Sequence, residues 1–517
     1  MSPSRGSAPS SLNAARRSRE LRQLADGARV DVLVVGLGAT GAGAALDAAS
    51  RGLTVAAVDA HDLAFGTSRW SSKLIHGGLR YLATGQLDVA HESAVERGVL
   101  MERTAPHLVR AQPFVLPLTP LVSRGQAALA WAGFRAGDVL RASARTSRAT
   151  LPAPRTLSRV ETRHMVPALR PGGLRGGLLS WDGQLTDDAR LVTAIARTAA
   201  AHGARILTRT RAQSLSGSGA RVRDELTGEE FDIRARTVIN ATGVWAGDLV
   251  GDVRLRPSRG THLVLRAEEL GSLTAGMHIP IPGEPNRFVL VLPQGDGRVY
   301  VGLTDEPVDG DIPDVPEAPE TDIGFLLDVL GSALDVPLNR DAVVGAFAGL
   351  RPLLNTTTAT GTGRTADISR KHAVLTSPEG VTTIVGGKLT TYRRMAQDAV
   401  DAAVTARGLT APRSRTTSIP LVGAASPATL GTLAAPRRLV RRYGAEAPAV
   451  HELGLTDPLL AQPVVPGHPV TGAELLWAVR HEGALDESDI LDRRTRIGLV
   501  PHDRQAAGEA ARAALAR

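Results

Sequence analysis

The sequence predicts an α/β fold built on a Rossmann-like nucleotide-binding unit, and three observations predict it. Val30 to Val35 is a short apolar run rich in valine, Gly36-Leu37-Gly38-Ala39-Thr40-Gly41 follows without a break, and Ala42 to Ala49 reads as an Ala-rich helix. A second apolar run, Leu53 to Val58, ends in Asp59. A GxGxxG pattern alone is weak in a chain with 54 glycines. Strand, glycine turn, helix and a second strand ending in an acid together form the context that a dinucleotide site requires.

Each part of the fingerprint has its own task. Gly36 makes the tight turn, Gly38 lets a pyrophosphate approach backbone N–H groups, and Gly41 lets helix and sheet pack closely. Ala39 and Thr40 open the helix, whose N-terminus favours an anion. Asp59 stands where a carboxylate would accept a hydrogen bond from a ribose hydroxyl.

Shortly downstream, Gly66 to Leu82 reads GTSRWSSKLIHGGLRYL. Hydroxyl residues and the pair Gly77-Gly78 let backbone approach a bulky ligand, while Lys73, His76 and Arg80 supply positive charge or proton transfer. That mixture predicts a redox active site. The fingerprint does not separate NAD from FAD, but its position near the N-terminus favours FAD, and so do later segments able to extend the contact. Val238 to Gly243 is an apolar strand ending in a small-residue turn, and Ile384 to Thr391 repeats the pattern.

With these motifs in order, the chain resembles the FAD-dependent, quinone-linked glycerol-3-phosphate dehydrogenases, from Asp31 to about Leu499. The marks are GLGATGAG, TSRWSSKLIHGGLRYL, TDDARL from Thr186, NATGVW from Asn240, RGTH ending at His262, GLTD from Gly302, GLRPL from Gly349, SRKH from Ser369 and GGKLTTYR from Gly386. The resemblance implies an FAD domain of the D-amino-acid-oxidase and glutathione-reductase type, with an inserted mixed β substrate domain and a C-terminal helical domain. It implies oxidation of sn-glycerol 3-phosphate to dihydroxyacetone phosphate by hydride transfer to flavin N5, with electrons passed to the quinone pool. Cofactor contacts are then expected at Thr67, Ser68, Ser71, Ser72, Lys73, Leu74, His76, Gly77, Gly78, Thr242, Gly243, Gly387, Lys388, Leu389 and Thr390, beside the fingerprint residues. One departure stands out, since Arg69-Trp70 is bulkier than the small hydroxyl run usual in the family.

Oxidising a secondary alcohol needs a base for the hydroxyl proton and a rigidly held substrate. Arginine is the preferred clamp for phosphate because its planar fork donates two parallel hydrogen bonds. The resemblance implies that Arg80, Arg351 and Arg370 converge on the phosphate with help from Tyr81. His262 and His76 compete for the base, and Lys388 is expected to stabilise developing negative charge. Thr304 and Asp305 are expected as supports beside the substrate, and Asp187, Asp188 and Arg190 as a structural group at a helix start. No metal is expected, for no ligand spacing such as HExxH is present.

Composition narrows the alternatives. Aromatic residues are 3% of the chain, which argues against stacking platforms for nucleic acid, and cysteine is absent, which excludes disulfides and thiolate-bound clusters. About half of the net charge of +8 lies at the start, where residues 1–29 hold six arginines against Glu20 and Asp26. That stretch is expected to be a disordered basic leader. No apolar run reaches the roughly 20 residues of a membrane span, so membrane contact is expected to be peripheral, on the inner face of the cell membrane of an otherwise cytoplasmic protein. The FAD domain is expected to be discontinuous, over 30–106, 186–250 and 346–408. The substrate lobe is expected over 107–185 and 251–345, a linker over 409–427 and a helical domain over 428–517. A homodimer is compatible with this organisation. The competing readings are an oxidase using O₂, an FAD enzyme for another small alcohol or amine, a non-catalytic flavoprotein, and a nicotinamide-linked dehydrogenase.

Overall fold

The computed structural model describes residues 8–78, 81–82, 85–284, 287–354 and 371–517. Val30–Val35 forms the centre of a parallel sheet, flanked by Val55–Val58 and Arg205–Leu207 on one side and by Glu230–Asn240 and Val381–Val385 on the other. Ala373–Thr376 adds an antiparallel edge, and the Thr210–Ser216 and Gly219–Asp224 strands extend the base of Glu230–Asn240. The near-continuous apolar runs of the central strands follow from burial on both faces. Val32 and Val34 pack with Ala45, Ile195 and Ala396 under the helices Ala39–Ser50, Asp188–Ala201 and Tyr392–Ala406, while Leu33 and Val35 face the opposite layer.

Register aligns the ends of four parallel strands at Val35, Val58, Asn240 and Val385, so that Gly36, Asp59, Thr242 and Gly386 leave the sheet at one edge. This is the edge at which open α/β sheets bind their ligands.

A second, mixed sheet is assembled from Val109–Pro117, Gly177–Leu185, Leu255–Arg266, Gly276–Pro280, Phe288–Pro293 and Arg298–Gly302, with shorter strands at its margins. The Gly345–Leu354 strand belongs here and not to the FAD domain assigned to it from sequence. It pairs with Leu255–Arg266 over ten residues, which sets His262 against Phe347 and Ser258 against Arg351. Leu74–Ile75 also joins this sheet, so the hydroxyl-rich segment bridges the two layers.

The expectation of a disordered leader is corrected for residues 8–29. Ala14–Ala25 is a helix, capped by the Asn13 side chain, with Leu21 and Leu24 buried against the nucleotide sheet. Arg17 is also buried, donating to Asp224 at 2.5 Å and to the carbonyl of Thr208 at 2.7 Å. The apolar spacing Leu21, Leu24 was masked by the basic residues around it. The 409–427 stretch connects the domains but packs closely. Leu421 is buried, its N–H donates to the Thr104 carbonyl at 2.9 Å, and Thr416 is held beneath Arg393 at 3.1 Å.

Beyond it, Gly472–His481 and Pro501–Leu515 enclose a core of Val465, Leu475, Ile490 and Ala507, while Arg437–Tyr443 and Ala447–Thr456 pack in a second cluster with Trp477. They dock on Asp188–Ala201 through buried ion pairs, Arg190 with Glu482, Arg197 with Glu446 at 2.6 Å and Arg442 with Asp187 at 3.0 Å. Among the described residues no helix is long and apolar enough to cross a membrane.

Candidate active site

One cavity of about 1740 Å³ opens between the sheets, and most of the residues singled out from sequence line it. Gly36 adopts φ +100°, and a Cβ there would lie 2.6 Å from the Ala241 carbonyl oxygen, so glycine is required by both backbone and space. Gly38 begins the Ala39–Ser50 helix, and Ser68 Oγ accepts the Ala39 N–H at 2.9 Å. Gly41 stands behind the wall, where a side chain would collide with the Gly36 carbonyl, in keeping with a packing role. Thr40, Thr242, Gly243, Gly387, Leu389 and Thr390 complete this side.

Asp59 accepts the N–H groups of Leu37 at 2.7 Å and His61 at 2.8 Å, and so fixes the fingerprint turn as well as lining the cavity. Burial raises its pKa to about 6. Thr67 hooks the carbonyl of Leu350 at 2.6 Å, while Ser71 donates to Asp188 at 2.7 Å. Leu74 and His76 lie on the wall, and the His76 N–H donates to Thr390 Oγ1 at 3.2 Å.

The same cavity is lined by His262, Arg351, Thr304 and Lys388. His262 is 1% exposed, its ring stacks on Phe347 at 4.8 Å, and its Nε2 is 2.9 Å from Ser72 Oγ. Burial first, then the charges of Lys73 and Arg351, lowers its pKa to about 3, so the imidazole is neutral at physiological pH. Arg351 donates to Ser258 Oγ and Asp305 Oδ1, each at 3.1 Å, and to the Thr304 carbonyl at 3.2 Å. Thr304 Oγ1 donates to Asp322 at 3.1 Å and accepts the Thr261 N–H, which locks the turn beside that guanidinium. Lys388 Nζ donates to Ser93 Oγ at 2.6 Å and sits 3.9 Å from the centre of the Tyr81 ring.

Two families span nearly the whole chain. Residues 31–393 match the FAD dependent oxidoreductase family, and residues 414–516 match the C-terminal domain of alpha-glycerophosphate oxidase. Glycerol-3-phosphate dehydrogenase 1 of Mycobacterium tuberculosis is 55% identical over 497 residues, covering 96% of each chain. Glycerol-3-phosphate dehydrogenase 2 of Mycobacterium bovis is 36% identical over 91% of this chain and 82% of its own. The solved glycerol-3-phosphate dehydrogenase of Bacillus halodurans, complexed with FAD, matches with a TM-score of 0.74 at 26% identity, covering 98% of this chain and 94% of its own. The chain belongs to the FAD-dependent glycerol-3-phosphate dehydrogenase family.

FAD is therefore the cofactor. The site fits it on physical grounds. The cavity exceeds the roughly 300–1,000 Å³ of an ordinary small-molecule pocket, and the helix N-terminus beside Gly38 offers backbone N–H groups to a pyrophosphate. A Cβ on Gly38 would come within 3.0 Å of Ser68 Oγ and narrow that cradle.

Several residues expected of a glycerol-3-phosphate dehydrogenase site lie elsewhere. Lys73 points into the protein, 2% exposed, with its ammonium on Asp188 at 2.8 Å and on the carbonyls of Arg69 and Ser71. The left-handed backbone at Lys73, φ 58°, turns its side chain toward that carboxylate and off the cavity wall. Gly77 and Gly78 are also off the wall. A side chain at Gly77 would strike the Arg97 guanidinium, and Gly78 packs on Ala90 and Ser93. Tyr81 is buried beneath Lys388 and off the wall, so its ring supports that ammonium instead of lining the cavity. Arg80 and Arg370 lie outside the described residues.

Besides Trp70, noted in sequence as a departure from the small hydroxyl run, the wall holds residues that no motif marked. Trp70 lines the cavity and stacks on Phe347 at 5.7 Å, pinned from behind by Arg69 at 4.1 Å. Asp187 caps the Asp188–Ala201 helix, and its neighbour Asp188 is the counter-ion of Lys73, in line with the structural ion-pair and capping group expected there. His278, Phe114, Phe288 and the cavity-facing side of the Arg124–Ser143 helix form an apolar extension. The spacing Gln126, Leu129, Ala130, Gly133, Phe134 was the signal for that face. Among the described residues no cluster of His, Asp and Glu could hold a metal ion.

Proposed function

We propose that the protein oxidises sn-glycerol 3-phosphate to dihydroxyacetone phosphate and passes the electrons to a quinone. The observation that carries the reading is that a neutral imidazole and a fixed guanidinium, at His262 and Arg351, line the same cavity as the fingerprint glycines and the Lys388 ammonium. Bound FAD supplies a two-electron acceptor for the hydride leaving carbon 2. The fingerprint residues, Asp59 and the hydroxyls of Thr67, Ser68, Ser71 and Ser72 are the groups suited to hold it.

The remaining work falls to side chains. Arg351, oriented on three sides, takes the substrate phosphate in bidentate fashion, and this fixes the reacting carbon. His262 accepts the hydroxyl proton. The hydrogen bond to Ser72 holds the ring in place. Lys388 balances the negative charge that builds up as the proton leaves. His76 is the other candidate base.

Two kinetic readouts separate the histidines. Replacing His262 by Gln is expected to lower kcat by ~10²–10⁴-fold. Because the folded pKa of His262 is depressed from 6.5 to about 3, the base stays deprotonated as pH falls through the ordinary imidazole range. The profile of kcat/KM is thus expected to lack an acid limb between about pH 5 and 8 from this group. A limb near 6.5 together with a fully active His262→Gln protein would assign the base to His76.

An acceptor other than O₂ is supported by the names of the similar mycobacterial proteins, which are dehydrogenases and not oxidases. A peripheral contact with the inner face of the cell membrane is supported by the Arg124–Ser143 helix. In its 20 residues only Arg141 is buried, and Val139, off the cavity wall, is 70% exposed. Such a helix, with arginines at 124, 135, 145 and 148 around it, has the makeup of a surface that meets anionic lipid.

The test is anaerobic mixing of the purified protein with glycerol 3-phosphate while flavin absorbance is followed near ~450 nm, where the oxidised cofactor absorbs. Rapid bleaching is expected, with recovery on adding a soluble quinone. A yellow protein that does not bleach would move the substrate to another alcohol or amine. Stoichiometric peroxide in air, with no quinone turnover, would replace the quinone by O₂.

A further inference from the structure

The wall of the cavity between Asp59 and Lys73 is a 15-residue loop whose regular structure is a single short turn, Thr67–Arg69. It carries Asp59, Thr67, Ser68, Ser71 and Ser72, and bonds of its own hold part of it, such as Arg69 Nε to the Phe65 carbonyl at 2.7 Å and Lys73 Nζ to the Arg69 carbonyl at 2.9 Å. A further set of contacts comes from a segment more than 400 residues away, residues 489–496 of the C-terminal domain.

Asp62, fully buried, receives Arg493 Nε at 2.6 Å and both terminal nitrogens of Arg494, at 2.7 and 2.8 Å. Arg496 reaches further along the loop and donates to the Arg69 carbonyl at 2.7 Å, with its guanidinium 5.3 Å from the Trp70 ring. Arg493 also stands 5.6 Å from the Phe65 ring. The segment is anchored in turn, since Arg494 donates to the Glu482 carbonyl at 3.0 Å and Arg298 of the substrate sheet donates to the Arg496 carbonyl at 2.8 Å. All three arginines are at most 4% exposed.

Burying three guanidiniums is costly unless each is fully hydrogen-bonded. Simple docking of the domain is already provided by Arg190, Arg197 and Arg442 on the Asp188–Ala201 helix. We infer that the arginines of residues 489–496 set the affinity for FAD, by holding the Asp59–Lys73 loop in its cavity-lining conformation. The C-terminal domain is then a cofactor-retention element. A loop ordered in advance binds its ligand without the ordering penalty, and apparent affinity falls with the fraction of protein in the competent state.

The inference rests on FAD occupying this cavity. Apoprotein is titrated with FAD while flavin fluorescence is followed, in the parent, in Arg496→Ala, in Arg496→Lys and in Arg266→Ala. The last breaks the ion pair to Asp503, which joins the C-terminal domain to the substrate sheet without touching the loop. Arg496→Ala is expected to weaken FAD binding by about ten- to a hundredfold, as befits one charged hydrogen bond. Arg496→Lys keeps the charge and loses the fork, and a loss of about tenfold is expected. It carries the test should the alanine variant not fold. Arg266→Ala is expected to bind within about twofold of the parent. Affinity unchanged in both Arg496 variants, or lowered equally in Arg266→Ala, would overturn the inference alone. A parent protein that takes up no FAD would overturn the placement of the cofactor beneath it.

Discussion

Replacing Arg351 by alanine is expected to lower kcat/KM for glycerol 3-phosphate by ~10²–10³-fold while leaving the protein yellow. The size follows from losing a bidentate, charge-assisted contact with phosphate, worth roughly 3–4 kcal/mol in a partly buried site. Both KM and kcat are expected to suffer, since the phosphate contact orients the reacting carbon as well as holding it. The structure sharpens this expectation. Arg351 does not hang from a flexible loop but stands on a ten-residue strand pairing, with Ser258, Asp305 and the Thr304 carbonyl fixing its planar group. Arg351→Lys is expected to recover only part of the loss, because an ammonium cannot make the parallel pair. Steady-state kinetics that match the parent, in protein of full flavin content, would remove Arg351 from the clamp.

Replacing Asp188 by asparagine is expected to destabilise the fold by ~3–5 kcal/mol at neutral pH, the usual cost of removing one partner of a buried ion pair. Asp188 accepts from Lys73 Nζ, from Ser71 Oγ and from the Ser71 N–H, and it is fully buried. The pH dependence has a definite sign. Burial lowers the Lys73 pKa from 10.5 to about 8 even with Asp188 opposing it, and without that carboxylate it falls further. The stabilisation Asp188 confers on the protonated amine is thus complete below the variant's pKa and lost as pH rises through about 8. The deficit measured by urea unfolding is expected to narrow between about pH 7 and 9, with a residue left from the Ser71 hydrogen bonds. Equal midpoints in parent and variant at neutral pH would show that the pair is not a stabilising element.

The nucleotide sheet and its edge were legible in the residues themselves. A valine-rich run, three glycines and an acid at the end of the next strand leave one arrangement open, because only glycine tolerates φ +100° against the Ala241 carbonyl. His262, Arg351, Lys388 and the serines of the hydroxyl-rich segment could also be picked out, since each is a chemically costly residue in a short motif. What those letters could not convey is direction. Lys73 and Ser72 are adjacent in sequence, yet one ammonium turns to a buried carboxylate and the other hydroxyl turns to His262. Local sequence does not decide this. A left-handed backbone at Lys73 and the position of Asp188, 115 residues away, do.

The ends of the chain make the same point with opposite outcome. The first 29 residues have the polar, Arg-rich makeup of a solvated tail, but Leu21, Leu24 and Arg17 find partners on a distant sheet, and burial overrides composition. The arginine-rich run near the C-terminus falls in the expected helical domain and gives no sign of its role in sequence, yet Arg493 and Arg494 meet on Asp62 in the interior. Sequence by itself determined the fold class, the cofactor-binding edge and the chemical groups available, because backbone sterics and side-chain chemistry are local properties. Tertiary structure alone decided which of those groups face the cavity and which hold the others in place, because charge pairing and burial depend on residues hundreds of positions apart.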